Sequence, residues 1–262
     1  MNNQPIGLFD SGVGGTSIWK EVVKLLPNEN TIYLADSKHA PYGEKTTEEI
    51  IELTKNNTEF LISKGCKLII VACNTATTNA IDFLRTSYNI PFIGIEPAIK
   101  PAALLSKTGA IGILATKGTL TSKLFEKTAK EYTKNITTIE QEGEGLVPLI
   151  EDGKLNSQEI KHLLNKYLKP MLTFNIDHLV LGCTHYPYLI PQIREIIGNK
   201  VVIIDSGAAV AKQTKAILEK NNLSANNPFE SSHHFYTNGN RDVLETILND
   251  VPSKFTIEKL NY

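Results

Sequence analysis

Cysteine is scarce in this chain. Three occur in 262 residues, at 66, 73 and 183, too few for a disulfide framework. Neither sign of charge dominates, with 27 Lys+Arg against 28 Asp+Glu, so the basic excess of a nucleic-acid surface is missing. No apolar run approaches the ~18 residues that cross a bilayer. The N-terminal Met1-Asn2-Asn3-Gln4-Pro5 lacks the basic-then-apolar order of a signal peptide. These absences point to a cytoplasmic protein with neither nucleic-acid nor membrane partners. Cys66 and Cys73 are too far apart for a CxxC hairpin, and Cys73, Cys183 and His185 together would need another ligand, so no metal is expected. The cluster Gly12-Val13-Gly14-Gly15 completes neither G-x-G-x-x-G, since Ser17 occupies the last glycine position, nor G-x-x-x-x-G-K-[ST].

What the chain does have is alternation. Short apolar runs at Ile6–Phe9, Thr31–Ala35, Leu68–Ala72, Phe92–Ile95, Ala110–Leu114, Thr137–Ile139, Leu179–Leu181 and Val201–Ile204 are separated by longer amphipathic stretches. That pattern predicts an α/β fold with mainly parallel sheets covered by helices. One helix is expected over Thr47–Lys64, opened by a Thr46/Glu49 capping box and closed by Gly65. Another follows Asn156, with Ile160, Leu163, Leu164, Tyr167 and Leu168 on one face. A third is expected over Ala208–Asn221.

The pattern also repeats. Ile6-Gly7-Leu8-Phe9-Asp10-Ser11 matches Ile111-Gly112-Ile113-Leu114-Ala115-Thr116, and a cysteine closes a later strand 67 and 72 residues on, at Cys73 and Cys183. We therefore expect two pseudo-symmetric α/β domains: 1–97 completed by the C-terminal segment 207–262, and 98–206. Strand ends in such folds bind ligands, so the active site belongs in the cleft between the two, with one thiol on each wall.

Two opposed thiols suit inversion of a carbon acid, one removing a proton from one face while the other delivers a proton to the opposite face. Each cysteine precedes a presumed helix, whose N-terminus favours thiolate. Asp10, His185 and Glu151 are the nearby groups able to tune them, although Asp10 could merely cap a turn, His185 could pack at a helix start and Glu151 could be solvated. Ser11, Asn74, Thr75 and Thr184 offer neutral donors. The glycine cluster would let backbone N–H groups approach a small carboxylate. Pro41-Tyr42-Gly43 reads as a turn that covers the site, with packing and substrate contact both open for Tyr42. Cys66 reads as a buried bystander, and His39, His162, His178, His233 and His234 receive no role.

Four segments, Leu8-Phe9-Asp10-Ser11-Gly12-Val13-Gly14-Gly15, Ala35-Asp36-Ser37-Lys38-His39-Ala40-Pro41-Tyr42-Gly43, Val71-Ala72-Cys73-Asn74-Thr75-Ala76 and Leu181-Gly182-Cys183-Thr184-His185-Tyr186-Pro187, closely resemble the glutamate racemases, with a weaker likeness at Phe235-Tyr236-Thr237. The resemblance implies cofactor-independent interconversion of L- and D-glutamate for peptidoglycan. It implies Cys73 as the base for D-glutamate, supported by Asp10, and Cys183 as the base for L-glutamate, supported by His185. Glu151 matches the family's supporting glutamate loosely. Substrate contacts are implied at Asp10, Ser11, Tyr42, Gly43, Asn74, Thr75, Thr184 and His185. A homodimer is expected. The chain begins five residues before its first strand, without the N-terminal extension through which a cell-wall precursor activates some members, so that regulation is not expected. The rivals are an aspartate racemase, in which an acidic residue typically replaces His185, and a non-catalytic amino-acid-binding or thiol-redox protein.

Overall fold

The computed structural model describes residues 3–225 and 231–261. Its first half alternates β1 (Ile6–Asp10), α1 (Thr16–Leu25), β2 (Thr31–Ala35), α2 (Thr47–Ser63), β3 (Leu68–Val71), α3 (Asn74–Ser87) and β4 (Phe92–Gly94). After α4 (Ile99–Leu105) come β5 (Ala110–Ala115), α5 (Lys117–Leu120), α6 (Lys123–Tyr132), β6 (Thr137–Glu142), α7 (Leu146–Glu151), α8 (Gln158–Leu172), β7 (His178–Gly182), α9 (Ile190–Ile197) and β8 (Val202–Ile204). The chain ends with α10 (Gly207–Lys220), β9 (His233–Thr237), α11 (Arg241–Leu248) and β10 (Phe255–Lys259).

Among the described residues the strands form two sheets, ordered β10-β9-β2-β1-β3-β4 and β6-β5-β7-β8. Every pairing in them is parallel. The order β2-β1-β3-β4 is repeated by β6-β5-β7-β8, so the sequence repeat is a repeat of topology. Asp10 and Ala115 end the equivalent strands β1 and β5, and Cys73 and Cys183 follow the equivalent strands β3 and β7.

Successive residues of a strand face opposite sides of its sheet, and both sides are covered at the central strands β1, β3, β5 and β7, which therefore read as largely apolar runs. Ile6, Leu8, Leu68 and Ile70 pack with Val22 of α1 and Val210 of α10. Phe9, Ile69 and Val71 pack on the other side with Leu61 of α2 and Ile81 and Leu84 of α3. In the second sheet Leu179 and Leu181 meet Ile150, Leu164 and Ile193 in the same cluster that holds Ile6 and Leu8. One core therefore runs across both halves, while Ile111, Ile113 and Val180 are sealed separately by Ile99, Ala102 and Phe125. Each of the larger of these side chains, Val, Leu, Ile and Phe, contributes about 1.5–3 kcal/mol by leaving water.

The expected capping box opens α2: Glu49 N–H donates to Thr46 Oγ1 at 3.2 Å and Thr46 N–H to Glu49 Oε2 at 2.8 Å. Gly65, at φ +77, turns the chain away in the left-handed region that favours glycine. The helix expected after Asn156 is α8, capped by Ser157, whose hydroxyl accepts from Ile160 N–H at 3.2 Å. The C-terminal segment does more than the sequence pattern indicates, since β9 and β10 extend the first sheet beyond β2. No helix among the described residues is long and apolar enough to cross a membrane.

Leu164 is fully buried between α8 and the second sheet. Leu164→Ala is expected to lower unfolding stability by about 2–5 kcal/mol through lost transfer energy and a residual cavity, as read by urea denaturation.

Candidate active site

Parallel strands point their carboxyl ends at one edge, and that edge brings the site together. Cys73, one residue past Ala72, is the N-cap of α3, where Ala76 N–H donates to its sulfur at 3.4 Å. Its Sγ also lies 3.7 Å from Ser11 Oγ, at the end of β1. Burial and the charge of Asp10 push the Cys73 thiol well above its usual value, and the hydrogen bonds with Ala76 N–H and the Ser11 hydroxyl oppose them without prevailing.

Cys183 is situated differently. The chain beyond it makes a tight 3₁₀ turn over Tyr186–Leu189 before α9 begins at Ile190. Pro187 lies in that turn and has no N–H to contribute to a helix. The expectation of a helix N-terminus at each thiol therefore holds for Cys73 and fails for Cys183, whose polar neighbour is His185 Nδ1 at 3.7 Å. The other ring nitrogen, Nε2, lies 2.5 Å from Glu151 Oε1. Burial alone would favour the neutral ring, but the Cys183 sulfur and the Glu151 carboxylate outweigh it and hold His185 well above its ordinary 6.5.

Asp10 is completely buried. Its Oδ1 accepts from Ser11 N–H at 2.7 Å, and its Oδ2 accepts from Gly15 N–H and, across the cleft, from Thr184 Oγ1 at 3.1 Å. Burial nevertheless pushes its carboxyl from 3.8 up to about 6; His185 opposes the rise and Glu151 adds to it.

The two thiols line a single small pocket. Around it stand Ser11, Tyr42, Gly43, Asn74, Thr75, Thr184 and His185, so it gathers most of the residues singled out in the sequence. Asp10 and Glu151 stand behind this lining, touching it through Ser11, Thr184 and His185. Tyr42 is held at its hydroxyl, which donates to Asp36 Oδ2 and accepts from Asn57 Nδ2 at 3.0 Å; the ring belongs to the cavity wall. Asn74 is buried with both its amide nitrogen and its amide oxygen unpartnered.

The glycine cluster departs from its expected use. Val13 N–H donates to Glu151 Oε1 at 2.7 Å and Gly15 N–H to Asp10, so these amides are occupied by the protein's own carboxylates. Pro41 joins the lining as the turn reading expects, while Thr116 and Val147 of the lining and Asp36 behind Tyr42 are not among the residues the sequence singles out. Thr116 was findable, because the repeat aligns it with Ser11; it meets Thr75 across the cleft, Oγ1 to Oγ1 at 2.8 Å. Among the described residues no group of three or more His, Cys, Asp and Glu side chains has the arrangement to hold a metal ion.

Residues 6–214 match the Asp/Glu/Hydantoin racemase family. The chain belongs to that family. A glutamate racemase of Clostridium perfringens is 47% identical over 226 residues, covering 86% of this chain and 87% of the relative. A glutamate racemase isoform from Bacillus anthracis superposes with a TM-score of 0.87 at 30% identity, covering 100% of this chain and 98% of that one. The Francisella tularensis glutamate racemase, solved with D-glutamate, superposes with a TM-score of 0.84 at 30% identity over the same shares of the two chains. Within this racemase fold the cavity occupies the seam between the sheets.

The raised Asp10 carboxyl carries a stability consequence. It keeps its proton in the folded protein between pH 3.8 and about 6, where the unfolded chain has already lost it. Relative to Asp10→Asn, the stability of wild type is thus highest below pH about 4 and falls as pH rises through about 6. The change amounts to about 3 kcal/mol, measurable by comparing urea unfolding of the two proteins between pH 4 and pH 7.

Proposed function

We propose that this chain interconverts L- and D-glutamate without a cofactor, using Cys73 and Cys183 as acid and base on opposite faces of the α-carbon. The observation that carries the proposal is the single small cavity onto which both free thiols open, one from each of two equivalent strand ends. The names of the relatives agree with it, as does the D-glutamate bound in the Francisella tularensis protein.

In the L-to-D direction the Cys183 thiolate takes the α-proton, breaking C–H and forming S–H. The electron pair remains on the α-carbon, delocalised into the substrate carboxylate. Cys73 gives its proton to the opposite face and becomes thiolate. Its raised pKa suits the donor role, because it rests as thiol. The reverse reaction exchanges the two roles. His185, charged and held by Glu151, is placed to pass a proton to and from Cys183, and Asp10 serves Cys73 in the same sense. The unpartnered Asn74 amide, with Ser11, Thr75 and Thr184, would hold the α-carboxylate, while Tyr42 and Gly43 close the wall. The walls in this reading are residues 1–97 with 207–262 and residues 98–206. The product would feed peptidoglycan from the cytoplasm, with the enzyme working as a homodimer.

Circular dichroism and deuterium uptake at the α-carbon, with either pure enantiomer in D₂O and reduced thiols, test the proposal. Both signals are expected with glutamate. An absence of both would refute racemisation of glutamate, and activity on aspartate alone would transfer the assignment to an aspartate racemase. Cys73→Ala and Cys183→Ala should each abolish racemisation with the fold intact; near-wild-type turnover in either would refute the two-thiol scheme. His185→Asn is expected to slow turnover by about 10²-fold or more.

A further inference from the structure

We propose that the Gly12–Gly15 loop of the first half is a positioning element for the acid–base pair of the second, so that the base acting on L-glutamate is completed by residues from both sides of the cleft. The inference rests on the racemase reading and deepens it.

The loop touches the pair at three successive residues. At Gly12, a Cβ would stand 1.9 Å from Glu151 Oε1 and 2.4 Å from its Cδ, so only a bare α-carbon leaves room for that carboxylate. Val13 N–H donates 2.7 Å to the same oxygen, which is also the one 2.5 Å from His185 Nε2. At Gly14, a Cβ would lie 2.2 Å from His185 Nδ1, the ring nitrogen that faces Cys183. The nearest atoms at Gly12 all belong to Glu151, and those at Gly14 all belong to His185. Close approach, rather than a turn conformation, is what these two glycines supply.

The loop is itself restrained. Tyr33 OH donates to Gly12 O at 2.8 Å, Thr16 Oγ1 donates to Val13 O at 2.6 Å, and Gly15 N–H is bonded to Asp10. A single backbone segment therefore connects the carboxylate behind Cys73 with the pair behind Cys183. Thr16 Oγ1 also meets Tyr188 OH at 2.5 Å, and Ser17 Oγ donates to Thr184 O at 2.9 Å, which fastens the start of α1 to the loop that carries Cys183 and His185. Small errors in placing a proton-transfer group are costly, of order 10²-fold for a displacement of about 1 Å.

The test uses the full-length protein with both α-deuterated enantiomers. Racemisation has an equilibrium constant of unity, so kcat/KM must fall equally in both directions, and a defect confined to one base is seen in the isotope effects. Gly14→Ala is expected to lose about 10²-fold in kcat/KM. Its primary deuterium isotope effect should rise with L-glutamate, whose α-proton goes to Cys183, and fall with D-glutamate. A loss with equal isotope effects for both enantiomers, or no loss, would overturn the inference. A double-mutant cycle supplies the second test. Gly12→Ala should cost about 10²-fold alone and less than about 2-fold in a Glu151→Ala background, where the space is vacated. The Glu151→Ala background removes the atoms nearest the new methyl, so the comparison of the double variant with Glu151→Ala does not depend on either single glycine variant folding. Equal Gly12→Ala losses in both backgrounds would overturn the inference, as would a double variant well below Glu151→Ala in activity. Wild type without α-proton exchange would overturn the racemase reading and this inference together.

Discussion

The seam between the two sheets contains two carboxylates and an imidazole that have left water, and the surrounding structure is arranged around keeping them bonded. Burying a charge is costly unless its lone pairs and protons are satisfied. Asp10 is satisfied by Ser11 and Gly15 on its own side and by Thr184 from the other. Glu151 is satisfied by His185 on its own side and by Val13 from the other. Each half thus supplies a donor to the other's carboxylate, and separating the halves would remove one donor from each. The incomplete compensation is visible at Asp10, whose pKa stays raised despite these donors. A fully relaxed carboxylate in such a bonded setting would be depressed instead.

This constraint explains how a duplicated topology yields unequal thiols. Cys73 and Cys183 follow equivalent strands, yet Asp10 at the end of β1 has Ala115 as its counterpart at the end of β5. The second half therefore lacks the acid that the first half places beside its thiol, and draws on Glu151 from α7 through His185. One thiol is bonded to a helix N-terminus and a serine, the other to an imidazole. Under the proposed racemisation, the α-carbon presents different surroundings on its two faces, and two differently tuned thiols would match that asymmetry better than identical ones.

The parts of this arrangement legible in the sequence are those written in local order. Leu68–Val71 and Leu179–Leu181 are fully buried on both faces and so read as apolar runs, and each cysteine stands just past its run. The Thr46/Glu49 capping box is a four-residue signal and is present as read. β9 was invisible for a comparable reason. Its buried residues are His233, Phe235 and Thr237, and the buried histidine, bonded to Thr31 Oγ1 at 2.9 Å, interrupts the apolar pattern. β10 lies at the sheet edge with exposed Thr256, Glu258 and Lys259, so it carries little apolar signal. The contact between Val13 and Glu151 joins residues 138 apart and has no local signature. The glycine cluster reads as an element of close approach, and two of its four amides, Val13 and Gly15, meet the protein's own carboxylates, because a glycine's need for close approach does not say what approaches.

Asn74 completes the argument about polarity. At the seam, Asp10, Glu151, His185, Thr75 and Thr184 all have partners within the protein. Asn74 is equally buried, adjoins Cys73 and lines the same cavity, yet neither end of its amide is bonded. An unpaired buried amide costs about 1–3 kcal/mol, and a fold that satisfies its neighbours so thoroughly would be expected to satisfy this one too. Its donor suits a carboxylate and its acceptor suits an ammonium group, and an amino acid held across the two thiols brings both to one carbon. Under the proposed function, the hydrogen bonds missing at Asn74 are those an amino-acid substrate would supply beside Cys73.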